Sequence, residues 1–204
     1  MIMSTFKIMC VTNRRLCKED FLLRMGKIAA CKPSAIILRE KDLSEEEYSR
    51  LAVKILRICA DNDVECILHR QFEVARRLGV EKIHMPLPEL RKMSKSDKKF
   101  FKIIGASCHS TEELVEAESL GCDYVIAGHI FATDCKKNLE PRGLEFLKNM
   151  VKASKVPIYA IGGINAANIT EIRGVGAVGA CIMSGFMTCE KVSAFMDNLI
   201  QGAI

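Results

Sequence analysis

The chain has 204 residues, 49% of them hydrophobic and 6% aromatic, with no Trp. It is expected to form one domain, 1–204, around an aliphatic, Met-rich core, since α/β barrels reach this size undivided. Thirty Lys and Arg against 25 Asp and Glu leave a net charge of +5, which suits an anionic small molecule. The cations are spread along the chain, and the Arg91–Lys99 cluster lacks interleaved aromatics, which argues against nucleic acid.

The ten cysteines include no CxxC and no Cys/His pair at ligand spacing. They read as reduced packing groups. No apolar run approaches ~18 residues, and Met1–Ser4 lacks signal-peptide architecture. A cytoplasmic protein without a membrane partner is expected.

In chain order, short apolar runs alternate with segments of helical period. The runs fall near Lys7–Val11, Ala35–Leu38, Glu65–Leu68, Lys82–Met85, Lys102–Ala106, Tyr124–Ala127, Pro157–Ile161 and Ala177–Met183. They are apolar throughout, as in a parallel sheet covered by helices on its outer face. Between them, Glu19 or Asp20 opens a helix over Phe21–Ala30. Ser44 and Glu47 form a capping box ahead of a long amphipathic stretch, and Ser110 with Glu113 repeats the pattern before a stop at Gly121. Asn165 or Asn168 starts a short helix, and Thr188 with Glu190 starts the last. Pro86 and Pro88 break the unit from Leu87 to Lys99, where a short or irregular helix is expected. Eight such repeats imply an α/β TIM (β/α)8 barrel. No GxGxxG follows the first run, which speaks against an open doubly wound sheet.

In a barrel the residues just after each strand form one ring around the active site. Here that ring reads Thr12 and Asn13, Arg39 to Lys41, His69 and Arg70, His84, Ser107 and His109, His129, Gly162 and Gly163, then Ser184 and Gly185. All four histidines lie on it, which points to acid/base work near neutral pH. Gly162-Gly163 and Ser184-Gly185 allow the backbone N–H groups to approach a phosphate, beside helices starting at Asn165 and Thr188. Arg39 and Lys41 flank Glu40; they either hold a second anion or are neutralised by that carboxylate. Thr133, Lys136, Lys137 and Asn138 make a candidate lid over an anion.

These residues resemble a known family. Ile37–Lys41, Gly105–His109, Asp123–Val125, Thr133–Lys136, Ala160–Ile164 and Met183–Gly185 stand in the order seen in the thiamine-phosphate synthase/TenI family of TIM barrels. The likeness spans nearly the whole chain. The run Gly128–Lys137, continued through Glu140, Arg142 and Gly143, is most similar to the TenI branch, the thiazole tautomerases. That branch implies a carboxylated thiazole phosphate as substrate and a proton shift to the aromatic ring. In this reading His129 shuttles the proton. Gly162, Gly163, Ser184, Gly185 and Thr133 hold the phosphate, Ser107 and Lys136 complete the substrate site, and Arg39, Lys41 or Arg70 holds the carboxylate. No metal or organic cofactor is implied.

The family's synthases instead hold Mg²⁺ with an Asn-Asp pair after the third strand and an Asp after the fourth. His69-Arg70 replaces the pair here, and Glu89 stands nearest the later Asp. Ile37 replaces a Gln, and His129 a Pro. The expectation is therefore a tautomerase, with a Mg²⁺-dependent synthase or a non-catalytic thiazole-phosphate-binding barrel as alternatives. A homodimer is left open.

Overall fold

The computed structural model describes residues 6–136 and 139–203, without the Lys136 side chain. Eight parallel strands close into a barrel in sequence order. They are β1 (Lys7–Val11), β2 (Ala35–Leu38), β3 (Cys66–His69), β4 (Lys82–Pro86), β5 (Ile103–Cys108), β6 (Tyr124–Gly128), β7 (Ile158–Ile161) and β8 (Gly179–Ile182). The eight apolar runs are these strands, with ends shifted by a few residues, and the TIM barrel expectation holds.

The covering helices are α1 (Phe21–Ala30), α2 (Glu45–Asp61), α3 (Phe72–Arg77), α4 (Leu87–Leu90), α5 (Lys95–Phe100), α6 (Thr111–Ser119), α7 (Gly143–Ala153), α8 (Ile169–Gly174), α9 (Ser184–Thr188) and α10 (Val192–Gly202). Asp20 caps α1 through the Leu23 N–H. Ser44 and Glu47 close the expected capping box on α2. The interval broken by Pro86 and Pro88 becomes two short helices, α4 and α5. Thr188, expected to start the last helix, instead ends α9, and α10 begins at Val192. The reason is local: β8 turns into a helix at Ser184 itself, before the Thr188 and Glu190 signals are reached.

Side chains alternate across each strand with a period of two. Ile8, Cys10, Ile36, Leu38, Val125 and Ala127 face outward and join the large cluster under the helices. Met9, Val11, Ala35, Ile37, Ile67, Tyr124, Ile126, Tyr159 and Cys181 fill the barrel interior. Continued past the interior layer, the same alternation places Arg39, His69, Ser107 and Gly128 at inward positions at the C-terminal mouth. The sequence therefore folds its chemistry onto one ring, because each of these positions is two or four residues beyond an interior apolar side chain.

Tyr48 of α2 ties two of these strands together. Its hydroxyl donates to the Leu38 carbonyl at 2.7 Å and accepts from the His69 N–H at 3.0 Å, with the side chain fully buried. Tyr48→Phe strands two buried backbone groups at once. It is expected to cost about 1–3 kcal/mol in urea denaturation; a loss below about 0.5 kcal/mol would show that the bridge is dispensable.

Candidate active site

A cavity of about 600 Å³ opens at the C-terminal mouth of the barrel. Arg39, Lys41, His69, His84, Ser107, His129, Thr133, Gly162, Gly163 and Ser184 line it. Most of the expected ring is thus brought together. Arg70 and Gly185 are not on its wall. Arg70 pairs with Glu89 at 3.3 Å, which directs its charge to the rim. Gly185 sits in the first turn of α9, against the Phe195 ring. The Lys136 side chain, and the lid residues Lys137 and Asn138, fall outside the described residues.

The deepest polar group is an imidazole network. Register pairs His84 with Gly105, and Gly105 with Tyr124. Gly105 has no side chain, and a Cβ there would strike the Tyr124 ring. Tyr124 and His84 therefore meet across the middle strand, with Nδ1 and the phenol oxygen 3.2 Å apart. On its other side His84 Nε2 lies 2.8 Å from Ser107 Oγ. His69 stacks on His84 with ring centroids 5.9 Å apart. Sequence reasoning placed both histidines on the ring but missed Tyr124 as a partner; a glycine interrupting an apolar strand beside a strand-start tyrosine is the signal that would have found it.

Burial pushes the His84 pKa from 6.5 down to about 3, with the Arg39 charge adding to the effect. Burial also holds His69 well below its ordinary range, helped by His84, Arg39, Lys41 and Arg70. Both rings are neutral at pH 7 and serve as hydrogen-bonding and stacking surfaces, not as cations. His129 is buried, with Nε2 3.3 Å from the Leu139 carbonyl. The Gly128–His129 peptide is cis.

Arg39 is the prominent charge. Its backbone N–H donates to Thr12 Oγ1 at 2.9 Å. Its guanidinium reaches Met183 Sδ at 3.9 Å, and among the described residues it has no ion pair. Burial lowers its pKa, with the Glu40 charge partly opposing. Glu40, which could have neutralised Arg39, is turned away. Glu40 is turned to Thr12 Oγ1 at 2.7 Å and to the Arg14 backbone N–H at 3.0 and 3.1 Å, so it does not pair with Arg39.

The glycine pair after β7 has its own geometry. Gly162 and Gly163 have φ of +105° and +66°, a region other residues enter only at a cost. A Cβ on Gly162 would collide with His129, and one on Gly163 with Phe131 and Ala132. The β7 and β6 loops are thereby pressed together, with backbone exposed to the cavity. The first turn of α9 presents Ser184 beside them.

The family model described as thiamine monophosphate synthase matches residues 8–186. A thiamine-phosphate synthase of Fusobacterium nucleatum is 30% identical over 201 residues, covering 96% of both chains. One from Clostridium acetobutylicum is 31% identical over 193 residues, covering 92% of this chain and 90% of its own. The solved structure of thiamine phosphate pyrophosphorylase from Pyrococcus furiosus superposes with a TM-score of 0.83 at 27% identity, covering 98% of this chain and 96% of that one.

These relatives correct the expectation of a thiazole tautomerase, an isomerase of the TenI branch. They carry the name of a transferase over nearly the full chain. The tautomerase reading rested on the likeness of Gly128–Lys137, continued through Glu140, Arg142 and Gly143, to the TenI branch and on departures at His69-Arg70, Glu89, Ile37 and His129, which describe the site's lining but not its reaction.

The depressed imidazoles make stability depend on pH. Below about 6.5 the unfolded chain takes up protons that native His84 refuses until about pH 3. Stability therefore falls as pH falls through this window. His84→Gln is expected to flatten that slope in denaturant titrations between about pH 7 and pH 4; an unchanged slope would remove His84 as its source.

Proposed function

The chain belongs to the thiamine monophosphate synthase family, and from that premise we propose that it joins a phosphorylated thiazole to a pyrimidine diphosphate, releasing pyrophosphate. The observation that supports this most directly is a guanidinium, Arg39, without an ion pair among the described residues, in a cavity large enough for small ligands. The rest of the support is the full-length likeness to proteins named as synthases. The proposal treats residues 1–204 as one barrel domain in the cytoplasm and leaves a homodimer open. Among the described residues no helix is long and apolar enough to cross a membrane.

In this reaction a thiazole ring nitrogen forms a bond to the pyrimidine's exocyclic carbon as the carbon–oxygen bond to the diphosphate breaks. The diphosphate departs with the electron pair, and the ring nitrogen becomes cationic. Rate then comes from holding two reactants in line and from positive charge where the leaving group gathers negative charge.

Arg39, with Lys41 beside it on the wall, receives the diphosphate. Backbone N–H groups around Gly162, Gly163 and Ser184 seat the thiazole phosphate, with Gly185 behind them leaving room for the Phe195 ring. Thr133 adds a donor on the cavity wall. Neutral His69, His84 and Ser107 offer a flat, hydrogen-bonding wall to a heteroaromatic ring. His129 closes the side between the two phosphate seats as a positioning group. Arg70, held by Glu89, stays off the cavity wall.

The synthase reading implies Mg²⁺, and the residues present do not fit it. Among the described residues no three His, Cys, Asp or Glu side chains group to hold a metal. Mg²⁺ takes oxygen ligands, whereas the ends of β3 and β4 present imidazoles and a guanidinium. Glu89 is bound by Arg70 and by Lys92 at 3.2 Å, and Glu40 by Thr12 and Arg14. No step is assigned to a metal here.

Wild-type protein supplied with both substrates is expected to form thiamine phosphate and an equal amount of pyrophosphate, followed by chromatography and a coupled pyrophosphate assay. Arg39→Ala should lower kcat/KM by about 100-fold. Absence of thiamine phosphate from the wild-type reaction, with and without Mg²⁺, overturns the proposal.

A further inference from the structure

We propose that this barrel holds the diphosphate leaving group with its own cations, Arg39 foremost, and without a divalent metal ion. The inference rests on the synthase reading and deepens it by naming what neutralises the departing charge.

Three observations carry it. First, Arg39 is a half-buried guanidinium facing the cavity with a thioether as its side-chain hydrogen-bond partner, at 3.9 Å. A weak sulfur acceptor leaves its paired N–H donors for a ligand, and guanidinium matches phosphate oxygens two at a time. Second, the carboxylates around it are engaged elsewhere. Glu40 accepts from Thr12 and Arg14, Asp42 pairs with Arg14 at 2.6 Å and Arg15 at 2.9 Å, and Glu89 pairs with Arg70 and Lys92. They shield those outer cations and leave Arg39 to an anion brought by the substrate. Third, the carboxyl oxygens that a hard cation needs are scarce on the wall, where Asp134 is the one carboxylate among the described lining residues.

Electrostatics then favours the organic cation. A diphosphate in water is strongly hydrated, and a bound metal ion usually offsets its charge. In a site that already contains positive charge, a divalent cation adds repulsion with Arg39 and Lys41 before it gains the phosphate oxygens. A fixed guanidinium also needs no reorganisation as charge moves onto the leaving oxygen.

The test is calorimetric titration of inorganic pyrophosphate into the full-length chain, in EDTA and again in millimolar Mg²⁺. Binding is expected in EDTA, Mg²⁺ should change the affinity by less than about 3-fold, and Arg39→Gln should weaken it by about tenfold or more. No binding in EDTA overturns the proposal, as does full affinity in a folded Arg39→Gln protein. Should that variant fail to fold, Arg39→Lys keeps the charge without the paired donors; a several-fold loss supports the proposal and unchanged affinity overturns it. Turnover measured in the same two buffers separates the two readings. Thiamine phosphate formed only with Mg²⁺ leaves the synthase assignment standing and removes metal independence. Metal-free pyrophosphate binding without any thiamine phosphate does the reverse.

Discussion

Closure of eight short parallel strands, with side chains alternating strictly in and out, is the constraint on which everything else rests. Closure leaves no free edge and gives each strand a fixed register against both neighbours. Interior positions at Ala35 and Ile37 on β2 then oblige Arg39 to face inward, and Ile67 does the same for His69. A one-residue slip on β2 would turn Arg39 toward the helices and bring Glu40 into the cavity. The Tyr48 hydroxyl, bonded to both β2 and β3, opposes such a slip at the place where the site's charge is set.

The polar ring behaves as one electrostatic unit. Burial of His69 and His84 makes their charged forms costly, and Arg39 makes them costlier still. The imidazoles remain neutral and the guanidinium remains the charge that counts. Had Glu40 paired with Arg39, that field would have been cancelled within the protein. It is instead bonded to Thr12 and to the Arg14 backbone, which also clamps the β1 and β2 ends together. One carboxylate thus stabilises the rim and leaves the cavity cationic.

Similarity to named synthases and the lining of the cavity speak to different properties. The relatives share the fold and nearly the whole length of the chain, and so bear on the reaction. The lining departs where a synthase is expected to hold its metal, and so bears on how charge is managed. The proposed transferase, with guanidinium in place of a metal, is the reading that accommodates both. The same departures had pointed toward a proton-shift isomerase, because His129 and the histidine-rich ring read as acid/base groups. Two of those rings turn out too buried to take up a proton near pH 7.

The sequence by itself determined the barrel, since continuous β-branched runs separated by capped helices have few other ways to bury their apolar surface. It also determined that the histidines, Arg39 and both glycine pairs meet at one end, because strand ends in a parallel barrel share a side. Only the tertiary structure decided which of those groups are charged, paired or withdrawn. Arg70 is taken up by Glu89, and Glu40 turns from Arg39 to Thr12. Tyr124 reaches His84 across the gap left by Gly105, and the last helix starts at Val192, four residues after Thr188. These outcomes depend on contacts between residues 19 to 40 positions apart and on local burial. Periodicity along the chain carries no information about either.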